Sequence, residues 1–87
     1  MKSFRLTIAA AGTSQPGPDV IVPSIAIIKF ITGNTGLGFV NNEVSGDLSG
    51  NSYELDPGEK VFVDAVNLKE INFDVSVNGE TFCIMLP

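Results

Sequence analysis

Acidic side chains and one cysteine are the residues in this chain whose chemistry could serve catalysis or metal binding. The sequence contains ten acidic residues and no histidine, which excludes a Ser-His-Asp triad and a Cys-His pair. Paired carboxylates can act as acid and base, but the pattern places neither Glu54 with Asp56 nor Asp64 with Asp74 in a cleft. We therefore predict no catalytic residue and expect that the protein is not an enzyme.

Metal and cofactor sites are not indicated either. Cys83 is the only cysteine, so it has no disulfide partner and cannot build a zinc site, and we expect a buried core thiol. The polar segment from Asn41 to Ser52 carries Glu43 and Asp47, whose oxygens suit calcium, but the ligand order of a calcium-binding loop is absent. We predict a solvated loop there, no metal and no cofactor, and keep a ligand-binding loop as the alternative.

Charge and hydropathy exclude two classes of partner. The net charge is −5 and the five cations, Lys2, Arg5, Lys29, Lys60 and Lys69, form no run along the chain, so we expect no nucleic-acid binding. No apolar run reaches the roughly 18 residues of a membrane span, and no signal peptide is expected. Charged residues make up only 17% of the chain against about 25% in typical soluble proteins, which favours a surface that meets other protein.

Apolar side chains alternate with polar ones in several short segments. Ser3 to Ala9 and Ile71 to Val77 each place apolar residues on one parity only, which is typical of half-buried strands. Ser24 to Thr32 and Thr81 to Leu86 are apolar on both parities, so we predict central strands there. Asn78-Gly79 suits a two-residue type I′ turn, and the sequence therefore predicts a β-hairpin from Ile71 to Leu86.

The turn signals between these segments predict an all-β fold. We expect one domain over residues 1–87, a small antiparallel β-sandwich or barrel of about six to seven short strands. Residues 10–19 contain two prolines and no apolar period, so we predict either a mobile surface loop or an extended arm across a neighbouring subunit. The predicted core comprises Phe4, Leu6, Ile8, Ile28, Phe30, Phe39, Leu55, Val61, Val63, Ile71, Phe73, Val75, Phe82 and Ile84.

A series of turn motifs resembles a group of small bacteriophage head-associated virion proteins. The motifs are Gly33-Asn34-Thr35-Gly36-Leu37-Gly38-Phe39-Val40, Tyr53-Glu54-Leu55-Asp56-Pro57-Gly58-Glu59, Val66-Asn67-Leu68-Lys69-Glu70-Ile71 and Val77-Asn78-Gly79-Glu80. The resemblance covers roughly residues 22–86 and depends on the order of the motifs. It implies a decoration or cement subunit, located in the virion capsid and made in the host cytoplasm, with no catalytic residues to transfer.

A protein of this kind needs apolar surface beyond its own core. We predict an interface at Ile25, Ile27, Ile31 and Met85, with Cys83 beside Met85, because their strands are apolar on both faces. The expected partners are sister copies, as a homo-oligomer such as a trimer at local threefold positions, and the major capsid protein. The alternatives are another virion component, in the tail, neck or fibre base, and a stand-alone ligand-binding β module.

Overall fold

Two antiparallel sheets pack face to face in the computed structural model, which describes residues 2–50 and 52–87. The all-β prediction is confirmed as a sandwich, and the described residues form eight strands instead of six or seven. In chain order these are β1 (Lys2–Ile8), β2 (Gln15–Pro16), β3 (Ala26–Phe30), β4 (Gly38–Asn41), β5 (Tyr53–Leu55), β6 (Lys60–Val63), β7 (Asn72–Val75) and β8 (Glu80–Leu86), with a 3₁₀ helix at Leu68–Glu70.

The strand order places the two doubly apolar segments inside one sheet. Sheet A has the order β1-β8-β3-β6, and sheet B has the order β2-β7-β4-β5. Strands β3 and β8 therefore both have neighbours on each side, which confirms the predicted central positions. Their buried residues alternate with less buried ones along the strand, so each has one face toward sheet B and one face away from it.

Aromatic rings join the two sheets at the centre of the core. Phe82 of sheet A lies 5.1 Å, between ring centroids, from both Phe30 and Phe73, and Phe73 belongs to sheet B. Of the predicted core, Phe4, Leu6, Val61 and Val63 are half-buried and pack against its margin. The prediction missed Val22, Ala26, Val40, Leu48, Leu68 and Leu86, all of which are buried.

Gly38 allows the sheets to approach at this aromatic centre. A Cβ atom added to Gly38 would lie 2.7 Å from Cδ1 of Phe30 and 2.9 Å from Cζ of Phe82. We expect Gly38→Ala to lower the free energy of unfolding by about 1–3 kcal/mol, the usual cost of overpacking. Urea unfolding measures the change, with Gly33→Ala as the control because no atom lies within 4 Å of that added Cβ. Equal losses in the two variants would contradict the packing role of Gly38.

The predicted hairpin from Ile71 to Leu86 is wrong. Strands β7 and β8 lie in different sheets, and the chain crosses the sandwich between them. Gly79 has a φ of +81°, but Asn78 does not have a positive φ, so the pair cannot form a type I′ turn. Facing the apolar sides of β7 and β8 across the core buries both against each other, as the contact between Phe73 and Phe82 shows.

Asp74 is another correction, because its strand parity predicted an exposed side chain. Its carboxylate is fully buried. Oδ1 accepts hydrogen bonds from the backbone N–H groups of Gly12 (3.0 Å) and Val75 (2.8 Å), and Oδ2 accepts one from Leu48 (3.1 Å). Asp74 thus fastens two loops onto the outer face of sheet B.

Those two loops are less solvated than predicted. The segment from Asn41 to Ser52 carries Leu48, which is fully buried, and Asn72 donates from Nδ2 to the carbonyl of Val44 at 2.7 Å. Residues 10–19 lie against their own subunit and include β2, which pairs with β7 at the edge of sheet B. Gly17 is buried there and donates its N–H to the carbonyl of Ile71 at 3.0 Å.

The quoted turn motifs have structural roles in this sandwich. Glu80 accepts hydrogen bonds from the N–H groups of Thr35 (2.6 Å) and Gly36 (2.7 Å), which joins the first motif to the last. Asn67 and Glu70 form a capping box around the 3₁₀ helix, which satisfies N–H groups that the short helix leaves free. The order of the motifs therefore reflects contacts that hold the fold together.

Candidate functional site

The outer face of sheet A carries an apolar row of side chains. In the antiparallel register Phe62 of β6 lies opposite Ile27 of β3, and Ile27 lies opposite Met85 of β8. Neighbouring strands are about 5 Å apart, so the three side chains form a continuous strip, here called the apolar row. Phe62 is 56% exposed, and Ile27 and Met85 are half-buried. The sandwich core lies on the opposite side of these strands.

A row of cations lies two residues further along the same strands. Lys60 is opposite Lys29, Lys29 is opposite Cys83, and Cys83 is opposite Arg5. Lys29, Lys60 and Arg5 are all exposed and are here called the cationic row. Like charges directly opposite one another destabilise a sheet, so the Lys29–Lys60 pair is unfavourable for an isolated subunit. Such a departure from local stability is typical of a functional surface.

Intramolecular acids do not neutralise this row. Among the described residues, the one ion pair joins Lys69 to Asp19 at 3.9 Å. Two depressions of about 350 and 380 Å³ border the row and share Lys29 and Cys83. The Cys83 sulfur is half-buried and lies 3.7 Å from the hydroxyl oxygen of Ser3, so it forms part of the surface between the depressions instead of the predicted core.

Three of the four predicted interface residues contribute to this outer face. Ile27 and Met85 are register partners, and Ile31 follows β3, lines one depression and donates its N–H to the carbonyl of Thr81 at 3.3 Å. Ile25 precedes β3 and lies outside the paired register. All four are half-buried in the isolated subunit, so their own chain leaves part of each in contact with solvent.

The sequence reasoning missed Phe62 and the cationic row. Phe62 could have been found, because its parity opposes that of Val61 and Val63, which line the core margin. The cationic row had no local signal, since Arg5, Lys29 and Lys60 come from three separate strands. Only the strand order and register bring these side chains together.

The opposite side of the sandwich has the contrary charge. Glu43 and Asp47 lie in the loop over sheet B, and Glu54 lies on edge strand β5; all three are exposed. Hydrogen bonds from Ser49, first from its backbone N–H and then from its side chain, lower the pKa of Asp47 below 3.8, so this carboxylate is ionised at neutral pH. The surface formed by these three residues is here called the acidic face.

An open cleft of about 280 Å³ lies between edge strands β5 and β6. Its lining residues are Val40, Asn41, Asn42, Tyr53, Val61, Phe62, Val63, Asp64 and Ile71. This volume is just below the range of about 300–1,000 Å³ that is usual for small-molecule sites. Within residues 2–50 and 52–87, no three cysteine or acidic side chains come together as a candidate metal site.

The same described ranges contain no helix with the length and apolar character of a membrane span. Comparisons with models of known families, with curated proteins and with solved structures find no match.

Proposed function

We propose that the chain is a structural subunit of a phage virion, a capsid decoration or cement protein that acts through protein–protein contacts. The apolar row is the observation that supports this proposal. Phe62, Ile27 and Met85 form a strip on a sheet face whose other side already packs the core. The resemblance of the turn motifs to head-associated virion proteins supplies the virion context.

A subunit of this kind needs a contact surface and no reactive side chains. A protein that binds an assembled shell but not its dissociated parts stabilises the shell by mass action. The outer face of sheet A can supply such binding because it combines buried apolar area with charges that fix orientation. The proposed partners are the major capsid protein and sister copies in a homo-oligomer.

A role in the tail, neck or fibre base would use the same surface. Both roles require a partner that covers the apolar row, so the geometry of the isolated subunit is equally compatible with each. The position of the chain in a virion reconstruction distinguishes them: density on the shell supports decoration, and density at the tail or portal vertex supports the second role.

The contact surface can be tested by co-sedimentation with shells assembled from the major capsid protein of the phage that encodes the chain. We expect Ile27→Glu combined with Met85→Glu to weaken binding by at least about tenfold, because two charges enter an apolar contact. The fold should persist, since both side chains face away from the core. Thermal unfolding measures this directly.

Val66→Glu is the matched control. Val66 is apolar and 74% exposed but lies in the link after β6, away from the apolar row. We expect this variant to bind shells like the original chain. If the original chain does not co-sediment with shells, the decoration role is wrong; if both variants lose binding equally, the proposed surface is wrong.

A further inference from the structure

The cations and acids of this chain are segregated onto opposite sides of the sandwich. Three of the five cations, Arg5, Lys29 and Lys60, occupy the outer face of sheet A. Residues 30–59 contain no lysine or arginine, and this stretch supplies the acidic face over sheet B. A molecule with a net charge of −5 therefore has one locally positive surface.

The position of the acidic face follows from the register of sheet B. Glu54 is opposite Phe39, whose side chain points away from the core because neighbouring Gly38 faces Phe30 and Phe82. The loop that carries Glu43 and Asp47 is fastened to the same side by Asp74 and Asn72. The acidic face thus lies across the sandwich from the cationic row.

The two faces also carry matching apolar area. Val44 is 40% exposed in the loop of the acidic face, between Glu43 and Asp47 in sequence. The apolar row borders the cations on the other side. An interface with apolar contacts and complementary charges is favoured in orientation and encounter rate.

We propose that the outer face of sheet A binds the acidic face of a second copy of this chain, in a head-to-tail contact. The inference rests on the proposed function, because it takes the same surface as the contact site and names its occupant. A symmetric contact between two outer faces of sheet A would oppose one cationic row to another, which like-charge repulsion disfavours. The second copy supplies the acids that the isolated subunit does not direct at this row.

The geometry also decides the form of the assembly. A heterologous contact closes into a ring only when the rotation between subunits returns to the start. Here the two faces are on opposite sides of the sandwich, so successive copies stack in an open series. This differs from the closed trimer that the resemblance implies.

A charge-exchange experiment tests the contact with the whole chain. One variant combines Lys29→Glu with Lys60→Glu, and the other combines Glu43→Lys with Glu54→Lys. Each variant alone opposes like charges, so we expect at least about a tenfold rise in Kd for self-association. The equimolar mixture again opposes unlike charges and should recover association. Sedimentation velocity measures both results.

Ionic strength and a charge-matched variant provide the controls. Between about 0.01 M and about 1 M salt the Debye length falls from about 30 to about 3 Å, so association of the original chain should weaken. Lys2→Glu combined with Lys69→Glu makes the same change in net charge away from the cationic row, and we expect it to associate like the original chain. Circular dichroism confirms that each variant is folded.

Several outcomes would overturn the head-to-tail contact. They are an original chain that stays monomeric up to about 1 mM at low salt, where a Kd corresponds to only about −4 kcal/mol, a closed trimer that does not grow with concentration, and a mixture of variants that fails to associate. If the chain is monomeric and still binds shells through Ile27 and Met85, the stacking inference fails while the decoration role holds. If it stacks but does not bind shells, the decoration role fails instead.

Discussion

Phe82→Ala is expected to lower the free energy of unfolding by about 3–5 kcal/mol. Phe82 is fully buried and its ring contacts Phe30 in its own sheet and Phe73 in the other. Removing it leaves a cavity where the sheets meet, so the lost transfer free energy is added to the lost contacts around the cavity. Urea unfolding measures the change.

Phe62→Ala is the matched control for Phe82→Ala. The same side chain is removed from the outer face of sheet A, where Phe62 is 56% exposed, and we expect a loss below about 1 kcal/mol, the value of a cross-strand pair. A domain of this size has a total stability of about 4–13 kcal/mol. If Phe82→Ala does not fold, Phe82→Leu provides a measurable intermediate loss. Similar losses for the two alanine variants would contradict the central role of Phe82.

Asp74→Ala is expected to destabilise the protein by about 3 kcal/mol or more. The change removes the acceptor of three backbone N–H groups, and each buried donor without a partner costs about 1–3 kcal/mol. Two of those donors, Gly12 and Leu48, belong to the loops that cover sheet B. We therefore expect faster amide hydrogen exchange at both residues in addition to the lower stability.

Asp74→Asn separates the two carboxylate oxygens. One oxygen can still accept from Gly12 and Val75, while the new amide group faces the N–H of Leu48, so exchange should increase mainly at Leu48. Asp64→Ala is the control, because Asp64 is exposed just after β6 and should change stability by no more than about 0.5 kcal/mol. Unchanged exchange at Leu48 in Asp74→Ala would show that the loop is held by other contacts.

Local alternation was sufficient to predict the fold class and the interior strands. The run from Ser24 to Thr32 and the run from Thr81 to Leu86 are apolar on both parities, and β3 and β8 indeed have neighbours on each side. The same pattern identified Ile27 and Met85 as surplus apolar residues, and the register places them opposite one another. A period of two depends on the backbone alone, so sequence shows it directly.

Strand pairing was not predictable in the same way. The Asn78-Gly79 signal favours a hairpin, but local turn preference is worth little compared with burying β7 and β8 against each other across the core. Asp74 was assigned to solvent because parity says which way a side chain points and nothing about what covers it. Leu48 and the loops supplied that cover.

The sequence by itself determined which side chains of each strand face inward or outward, because successive residues of a strand must alternate. Only the tertiary structure decided which strands are neighbours. Arg5, Lys29 and Lys60 are far apart in the chain and form one row because β1, β8, β3 and β6 are ordered and registered as they are. The physical reason is that register is set by burial of the whole inner face, so the outer face inherits its pattern from contacts on the other side of the sheet.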